Sequence, residues 1–262
     1  MDDAVRQFEK VARNYVASES HARGRSLGRL LDLVQPRPGE RVLDVAAGAG
    51  HTAIAFAGAG ARAFALDPAQ AMLAAARDLA RARGLAAGAV RFVRAAAERL
   101  PFPDGAFAAV VCRTAAHHFA DPAGAVREMA RVAARPGGRV ALTDLMGHDE
   151  PALDTLVDAV ERLHDPTHVR SYRAAQWVAW FEAAGLRVTA CERGFAELET
   201  GTSVRDWCVR SATPPAAEAE IRRLLLGAPA EHRRALRVAE APEGDVRFHI
   251  YKCVVAGYPT AP

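Results

Sequence analysis

The hydrophobic positions of the chain alternate between short apolar runs and longer stretches with helical spacing. The apolar runs predict strands at residues 41–46, 61–66, 90–94, 107–113 and 139–143. Helical periodicity predicts helices at residues 52–58, 69–83 and 123–134. Parallel strands joined by helical crossovers build a sheet covered by helices on both faces. This part of the chain therefore predicts an α/β fold with a doubly wound sheet.

Both ends of the chain depart from this alternation. The apolar residues near the start recur with helix period and predict a helix before the sheet; they are Val5, Phe8, Val11, Ala12 and Tyr15. Beyond residue 143 we predict helices at residues 151–163, 174–184, 204–209 and 216–226, and strands at residues 186–192 and 247–255. We accordingly divide the chain into an N-terminal helical segment (1–35), a core (36–145), and lid helices with C-terminal strands that complete the same domain (146–262).

A glycine-containing turn follows the first strand, in the run RVLDVAAGAGH. A strand, a glycine turn and a helix form the place where an open α/β sheet binds a nucleotide-like ligand, because small residues let the backbone approach it closely. The spacing Gly48-x-Gly50-x-x-Ala53 also fits the dinucleotide fingerprint, so the turn alone leaves the ligand open. Asp44 discriminates, because a carboxylate pointing into the crevice would repel a pyrophosphate and suit a cation. We therefore favour S-adenosylmethionine, a sulfonium without phosphate, over NAD.

A second acidic residue follows the second strand. Asp67 lies 17 residues beyond Gly50, about where an acidic side chain accepts hydrogen bonds from ribose hydroxyls. It could instead cap the helix at residues 69–83, with Pro68 at the first helical position. Both roles are compatible, because the N-terminus of that helix faces the same crevice.

Together with later motifs, these runs resemble the class I S-adenosylmethionine-dependent methyltransferases, in particular the ubiquinone/menaquinone C-methyltransferase-like (methyltransferase type 11) group. The matching motifs are VLDVAAGAGHTA, ALDPAQAMLAAAR, AERLPFPDGAFAAVVCR, HHFADP and VREMARVAARPGGRVALTD. The resemblance implies a Rossmann-like seven-stranded sheet whose last strand inserts antiparallel between its neighbours. The chain departs from the pattern at Ala46, where many members carry glycine, and at Ala96, where many carry an aspartate that contacts adenine. The departure at Ala46 is tolerable if that residue avoids a positive φ.

The resemblance also implies which residues contact the cofactor. The loop after Ala97 would cover the adenine, and Glu98 would accept from the adenine amino group or cap the following turn. Met72 would pack on the cofactor or simply fill the core. The predicted cofactor-binding residues are Asp44, Ala46, Gly48, Gly50, Asp67, Pro68, Met72, Ala97, Glu98, Arg113 and Tyr15.

The end of the fourth strand carries the run CRTAAHHF, and ligands of open α/β sheets bind beyond the carboxyl ends of the strands. Arg113 would pair with the methionyl carboxylate or hold a neighbouring acidic side chain. Of His117 and His118, one is interpreted as structural and the other as a candidate general base. Neither need be essential, because methyl transfer to a well-placed nucleophile depends mainly on alignment.

The segment after the fifth strand is interpreted as a lid over the acceptor. Its predicted substrate residues are His148, His164, His168 and Arg170, set among the apolar residues Leu153, Leu156, Val157, Val160 and Leu163. This lining predicts a small-molecule acceptor with an apolar body and a polar or acidic handle. The spacing H-D-x-x-H matches no metal motif, so no metal is predicted. Tyr15, His21 and Arg25 could fold over the cofactor as a gate.

Composition agrees with an ordinary enzyme. The formal net charge is +3 and no basic run occurs, which gives no support for a nucleic-acid partner. No apolar run reaches membrane-spanning length. The four cysteines are scattered, which favours reduced thiols and a cytoplasmic location. We expect a monomer or a homodimer.

Three functions remain open from the residues alone. The first is methyl transfer from S-adenosylmethionine to a small molecule. The second is a protein of the same fold that uses S-adenosylmethionine for cyclisation, decarboxylation or a pericyclic step. The third is an NAD-dependent oxidoreductase, against which Asp44 and the LPFPDGAF loop count.

Overall fold

A seven-stranded sheet forms the centre of the protein, whose computed structural model describes residues 2–134 and 136–260. Residue 135 of the ARPGG motif and the outermost residues of the predicted terminal segments, 1 and 261–262, lie outside this part. The strands are β1 (Arg41–Val45), β2 (Arg62–Leu66), β3 (Val90–Val93), β4 (Ala109–Arg113), β5 (Arg139–Leu145), β6 (Leu186–Ala196), β7 (Thr202–Ser203), β8 (Ala239–Ala241), β9 (Asp245–Phe248) and β10 (Tyr251–Pro259).

The central sheet has the order β3-β2-β1-β4-β5-β10-β6. Strands β1 to β5 pair in parallel, and β10 runs antiparallel between β5 and β6. The predicted Rossmann-like seven-stranded sheet with an antiparallel insertion is therefore confirmed.

Helices cover both faces of this sheet. They are α1 (Asp2–Val16), α2 (Glu19–Arg23), α3 (Arg25–Val34), α4 (His51–Gly58), α5 (Gln70–Ala82), α6 (Pro122–Val132), α7 (Pro151–His164), α8 (Ala174–Ala183), α9 (Val204–Ser211), α10 (Pro215–Gly227) and α11 (Ala230–Ala235). On β4, Val110 packs with Met129 and Trp177 on one face, while the adjacent Val111 packs with Phe56 on the other. This alternation explains why β4 is apolar throughout, as parallel strands buried on both faces are.

One predicted strand is wrong. The alternating run at residues 247–255 is divided between β9 and β10, which belong to different sheets. Strand β9 pairs with β7 and β8 in a three-stranded sheet, and the chain joins the central sheet only at Tyr251. The hydrophobic residues keep a period of two across this run, because successive side chains of each strand point to opposite faces of its sheet. The hydrophobic pattern therefore does not reveal that the chain passes from one sheet to the other.

The helices α7, α9, α10 and α11, with the three-stranded sheet, form a lid that has its own core. Leu153 and Val160 of α7 pack with Trp207, Ile221 and Leu225, which come from α9 and α10. The apolar face of α7 therefore builds the interior of the lid. This corrects the expectation that it would roof the acceptor site.

Helix α1 bridges the core and the lid. The carboxylate of Glu9 accepts hydrogen bonds from the backbone N–H groups of Gln70 at 2.6 Å and Ala71 at 3.1 Å, at the start of α5. The Gln7 amide donates to the carbonyl of Ser211 at the end of α9, at 2.8 Å. Since the first N–H groups of a helix lack partners within it, Glu9 caps α5 from outside and fixes α1 above the carboxyl ends of the strands.

Candidate functional site

The glycine turn after β1 places three residues in left-handed backbone conformations. The φ angles are 55° at Ala46, 52° at Gly48 and 82° at Gly50. The condition under which an alanine at position 46 would be tolerable, a φ that is not positive, is therefore not met. The chain must reverse direction between β1 and α4, and the turn requires this conformation at position 46 even though an alanine Cβ disfavours it.

The two glycines of the turn face different surroundings. A Cβ on Gly50 would lie 2.7 Å from the Cβ of Ala76, so Gly50 allows α5 to pack against the turn. A Cβ on Gly48 would meet no atom within 4 Å, and Gly48 lines a cavity. This corrects the prediction that Gly50 contacts the cofactor. Gly50 lies outside the cavity lining and packs against α5 on the other side of the turn.

The cavity above this turn, called here the glycine-loop cavity, has a volume of about 950 Å³. Eleven of the predicted site residues line it: Tyr15, His21, Ala46, Gly48, Asp67, Pro68, Met72, Ala97, Glu98, Arg113 and His118. Ala4, Val5 and Phe8 of α1 also line it, and the sequence pattern did not identify them. This volume includes the part of the cavity that is open to solvent.

Asp44 lies beneath the turn and outside the cavity lining. It is 2% exposed, and its carboxylate accepts a hydrogen bond from the N–H of Ala53 in the first turn of α4, at 2.9 Å. Burial raises the pKa of Asp44 to about 7, against the opposing effect of the Arg113 guanidinium. The prediction that Asp44 points into the crevice is therefore corrected: its carboxylate holds the start of α4.

Asp67 lines the glycine-loop cavity and also orders the backbone around it. One carboxylate oxygen accepts from the N–H of Gly48 and the other from the N–H of Ala69, both at 2.8 Å. Burial raises the pKa of Asp67 to about 6, and these two hydrogen bonds oppose the shift. The carboxylate thus ties the turn after β1 to the entry of α5.

Two further predicted contacts have partners within the protein. Glu98 accepts a hydrogen bond from the N–H of Ala120 at 3.2 Å. Met72 is 2% exposed and packs with Ala12 of α1 and Ala49 of the turn. Both residues nevertheless line the glycine-loop cavity. Each side chain can therefore stabilise the protein and also contact a molecule bound in the cavity.

Arg113 belongs to a buried charge network. Its guanidinium donates to Thr52 at 2.9 Å and to Ser26 at 3.2 Å, and lies 3.4 Å from the carboxylate of Glu197. Lys252 on β10 lies 2.9 Å from the other oxygen of Glu197. Of the two roles predicted for Arg113, the structure shows the second, which is to hold a neighbouring acidic side chain. Glu197 and Lys252 come from distant segments, and no local pattern marks them.

His117 is paired with a buried aspartate. Its Nδ1–H donates to Asp144 at 2.6 Å, and its backbone N–H donates to the second carboxylate oxygen at 2.7 Å. Burial lowers the pKa of His117, but the charges and hydrogen bond of Asp144 more than offset this, so the pKa is raised. This arrangement favours the imidazolium form and leaves Nε2 available to a ligand.

His118 has a different environment. Its Nδ1–H donates to the carbonyl of Thr167 at 3.1 Å, and its ring lies edge-to-face with Phe8 at 5.0 Å. Burial and the adjacent His117 lower the pKa of His118 to about 3. His118 is therefore neutral near physiological pH and matches the role predicted for the structural histidine.

A second cavity of about 660 Å³, called here the lid cavity, lies between the end of β4 and the lid. Its polar lining includes His117, His118, Glu161, His164, Asp165, His168, Arg210 and Lys252. The His164 ring stacks on Trp207 at 3.7 Å and donates to its carbonyl, while His168 lies 3.2 Å from the Asp158 carboxylate. Two predicted substrate residues, His164 and His168, thus meet the end of β4 here.

Three predicted site residues lie elsewhere. Arg170 forms an exposed ion pair with Asp154 at 3.1 Å. The Arg25 guanidinium lies over the ring of Phe195, 4.9 Å from its centroid, outside both cavities. His148 lines a smaller pocket inside the lid. These positions correct the predictions that Arg170 and His148 face the acceptor and that Arg25 gates the cofactor.

Comparison with known proteins establishes the family. Residues 43–142 match the methyltransferase domain family. The uncharacterized methyltransferase YcgJ of Bacillus subtilis is 37% identical over 214 residues, 82% of this chain and 82% of that protein. The crystal structure of YcgJ aligns with a TM-score of 0.78 and 33% identity, over 90% of this chain and 99% of that one. The chain belongs to the S-adenosylmethionine-dependent methyltransferases.

Other relatives place this methyltransferase near the predicted group. The demethylmenaquinone methyltransferase of Thermus thermophilus is 43% identical over 118 residues, which is 44% of this chain and about half (52%) of that protein. The [4+2]-cyclase SpnF shares the fold, with a TM-score of 0.64 at 23% identity. Family membership confirms that the chain is a methyltransferase and does not favour the oxidoreductase alternative.

Two features of the methyltransferase concern metals and membranes. Over residues 2–134 and 136–260, no three histidine, cysteine, aspartate or glutamate side chains are arranged to hold a metal ion. No helix in the same part of the chain is long and apolar enough to span a membrane.

Proposed function

We propose that this methyltransferase binds S-adenosylmethionine in the glycine-loop cavity and methylates a small molecule held in the lid cavity. One observation carries the proposal: the two cavities share five lining residues, which are Phe8, Tyr15, His21, Thr114 and His118. A donor in one cavity and an acceptor in the other would meet at this common wall. Methyl transfer requires such a meeting, because its rate depends on the alignment of the two reacting atoms.

The lining of the glycine-loop cavity fits the cofactor. Asp67 offers carboxylate oxygens to ribose hydroxyls, and the absent side chain of Gly48 leaves room beside the backbone. The guanidinium of Arg113 is held by Glu197, which lies between Arg113 and Lys252. When bound, S-adenosylmethionine supplies a methyl group on a positively charged sulfur, which is intrinsically electrophilic.

Of the two predicted catalytic histidines, the geometry favours His117 as the one that contacts the acceptor. Its Nδ1–H is engaged by Asp144, which orients the ring and leaves Nε2 facing the lid cavity. His118 forms part of the common wall as a neutral ring. A small-molecule acceptor suits the lid cavity, because it is concave and combines apolar side chains with polar groups in its lining.

Isothermal calorimetry tests the cofactor assignment directly. We expect S-adenosylmethionine and S-adenosylhomocysteine to bind with micromolar dissociation constants, equivalent to about −7 to −8 kcal/mol. NAD serves as the control ligand and should give no heat of binding. Tight NAD binding without heat from either methionine derivative would contradict the proposal.

A further inference from the structure

Glu161 is a buried carboxylate that lines the lid cavity without a partner. It lies near the end of α7 and is 6% exposed. Within residues 2–134 and 136–260, no hydrogen bond or ion pair engages its side chain. The other two carboxylates of the lining are engaged: Asp165 accepts from the Thr167 hydroxyl at 2.7 Å, and Glu197 is paired with Lys252. A carboxylate that faces a cavity without a protein partner is available to a molecule bound there.

The groups around Glu161 come from four elements. His117 follows β4, Arg210 lies on α9, Asp165 follows the end of α7, and Asp144 lies on β5. Burial raises the pKa of Glu161 to about 7, while His117 and Arg210 oppose the shift. A carboxyl that titrates near neutral pH is well matched to accept a proton during catalysis.

The same surroundings change the role of His117. Because Asp144 favours the imidazolium form of His117, its Nε2 carries a proton that it can donate to the acceptor. Arg210 also lines the lid cavity, whereas the charge of Lys252 is paired with Glu197. His117 and Arg210, the two cations that act on Glu161, would stabilise an oxygen that becomes negative beside it. The arrangement therefore suits a hydroxyl that loses its proton during the reaction.

We propose that Glu161 is the catalytic base of the methyl transfer, and that the acceptor presents a weakly acidic hydroxyl such as a phenol. This inference rests on the proposed function. The hydroxyl proton passes to a carboxylate oxygen of Glu161, and His117 stabilises the developing oxyanion. The oxygen then forms a bond to the methyl carbon as the carbon–sulfur bond breaks, which leaves a methyl ether and S-adenosylhomocysteine. Glu161 afterwards releases its proton to solvent.

Two probes of nearly equal size test this role. At about pH 8, 4-nitrophenol is already largely ionised, whereas 4-methylphenol keeps its proton. Wild-type protein should transfer labelled methyl from S-adenosylmethionine to both. Glu161→Gln should slow the reaction of 4-methylphenol by roughly 10²–10⁴-fold and that of 4-nitrophenol by less than about tenfold. Glu161→Asp, which keeps a carboxyl, should retain more activity toward 4-methylphenol than Glu161→Gln.

Control variants and measurements distinguish a catalytic role of Glu161 from a structural one. Glu182→Gln, an exposed acid on α8, should leave both rates unchanged. The melting temperature of Glu161→Gln should equal or exceed that of wild type, since the change removes an unpaired buried charge. Equal losses with the two phenols, or a lowered melting temperature, would show a structural role and overturn the inference. Transfer to neither phenol by protein that binds S-adenosylmethionine would exclude the hydroxyl class, whereas absence of cofactor binding would refute the proposed function instead.

Discussion

Replacement by alanine of the two glycines in the turn after β1 should have different effects: it should mainly lower stability at Gly50 and mainly lower cofactor affinity at Gly48. In Gly50→Ala, the new Cβ would lie 2.7 Å from the Cβ of Ala76, and the backbone φ is 82°. A left-handed conformation costs an L-residue about 1–2 kcal/mol, and a forced contact in a packed interior adds about 1–3 kcal/mol. We therefore expect Gly50→Ala to lower the free energy of unfolding by about 2–5 kcal/mol.

Gly48→Ala introduces a Cβ that meets no protein atom within 4 Å, at a φ of 52°. Its cost to stability is the backbone term alone, about 1–2 kcal/mol. Because Gly48 lines the glycine-loop cavity, the added methyl occupies space that the cofactor would need. Affinity for S-adenosylmethionine should fall about tenfold or more, which is about 1.4 kcal/mol of binding free energy.

Thermal unfolding without ligand and calorimetry with S-adenosylmethionine measure the two effects separately. For a chain of this size each kcal/mol shifts the melting temperature by about 2–4 °C, so Gly50→Ala should melt about 4–20 °C lower than wild type. At a temperature where it remains folded, it should bind the cofactor nearly normally. The reasoning is refuted if Gly50→Ala melts like wild type but loses binding, or if Gly48→Ala binds with unchanged affinity.

Three further predictions concern the same region. Ala46→Gly should raise the free energy of unfolding by about 0.5–1 kcal/mol, because relief at φ 55° exceeds the entropy that glycine adds to the unfolded chain; a lower melting temperature would contradict this. Affinity for S-adenosylmethionine should fall about tenfold between pH 7 and pH 5 as Asp67, with its pKa raised to about 6, becomes protonated; calorimetry on Asp67→Asn, which cannot ionise, should show no such slope. Imidazole NMR should find that His117 titrates above its ordinary range while His118 stays neutral to about pH 4, and the reverse order would exclude the roles assigned to them.

The central sheet could be predicted because each of its elements has a local signature. Strands β1 to β5 are short apolar runs, and the helices between them have helical periodicity over one to four turns. The glycine turn and Asp67 could be located for the same reason. The residues of the turn are contiguous in the sequence, and Asp67 follows them after a single helical crossover. The family resemblance added the antiparallel placement of β10, which local pattern does not contain.

The charged pairs of the site could not be predicted in this way. Asp144 lies on β5 and His117 follows β4, and only the pairing of these two strands brings them together. Glu197 and Lys252 are farther apart along the chain, yet they meet beside Arg113. Such contacts depend on topology and carry no periodicity of their own.

Helix α7 shows why the acceptor site was assigned to the wrong face. Its apolar residues have the clearest periodicity and were interpreted as the roof of the site, but they pack inside the lid around Trp207. Glu161, at the border of this apolar face, and Asp165, which follows the end of the helix, are at most 6% exposed and line the lid cavity. An amphipathic helix ordinarily leaves its polar face in water, and Thr155 and Arg162 keep the polar face of α7 exposed. It is therefore the buried border with Glu161 that we assign to the acceptor.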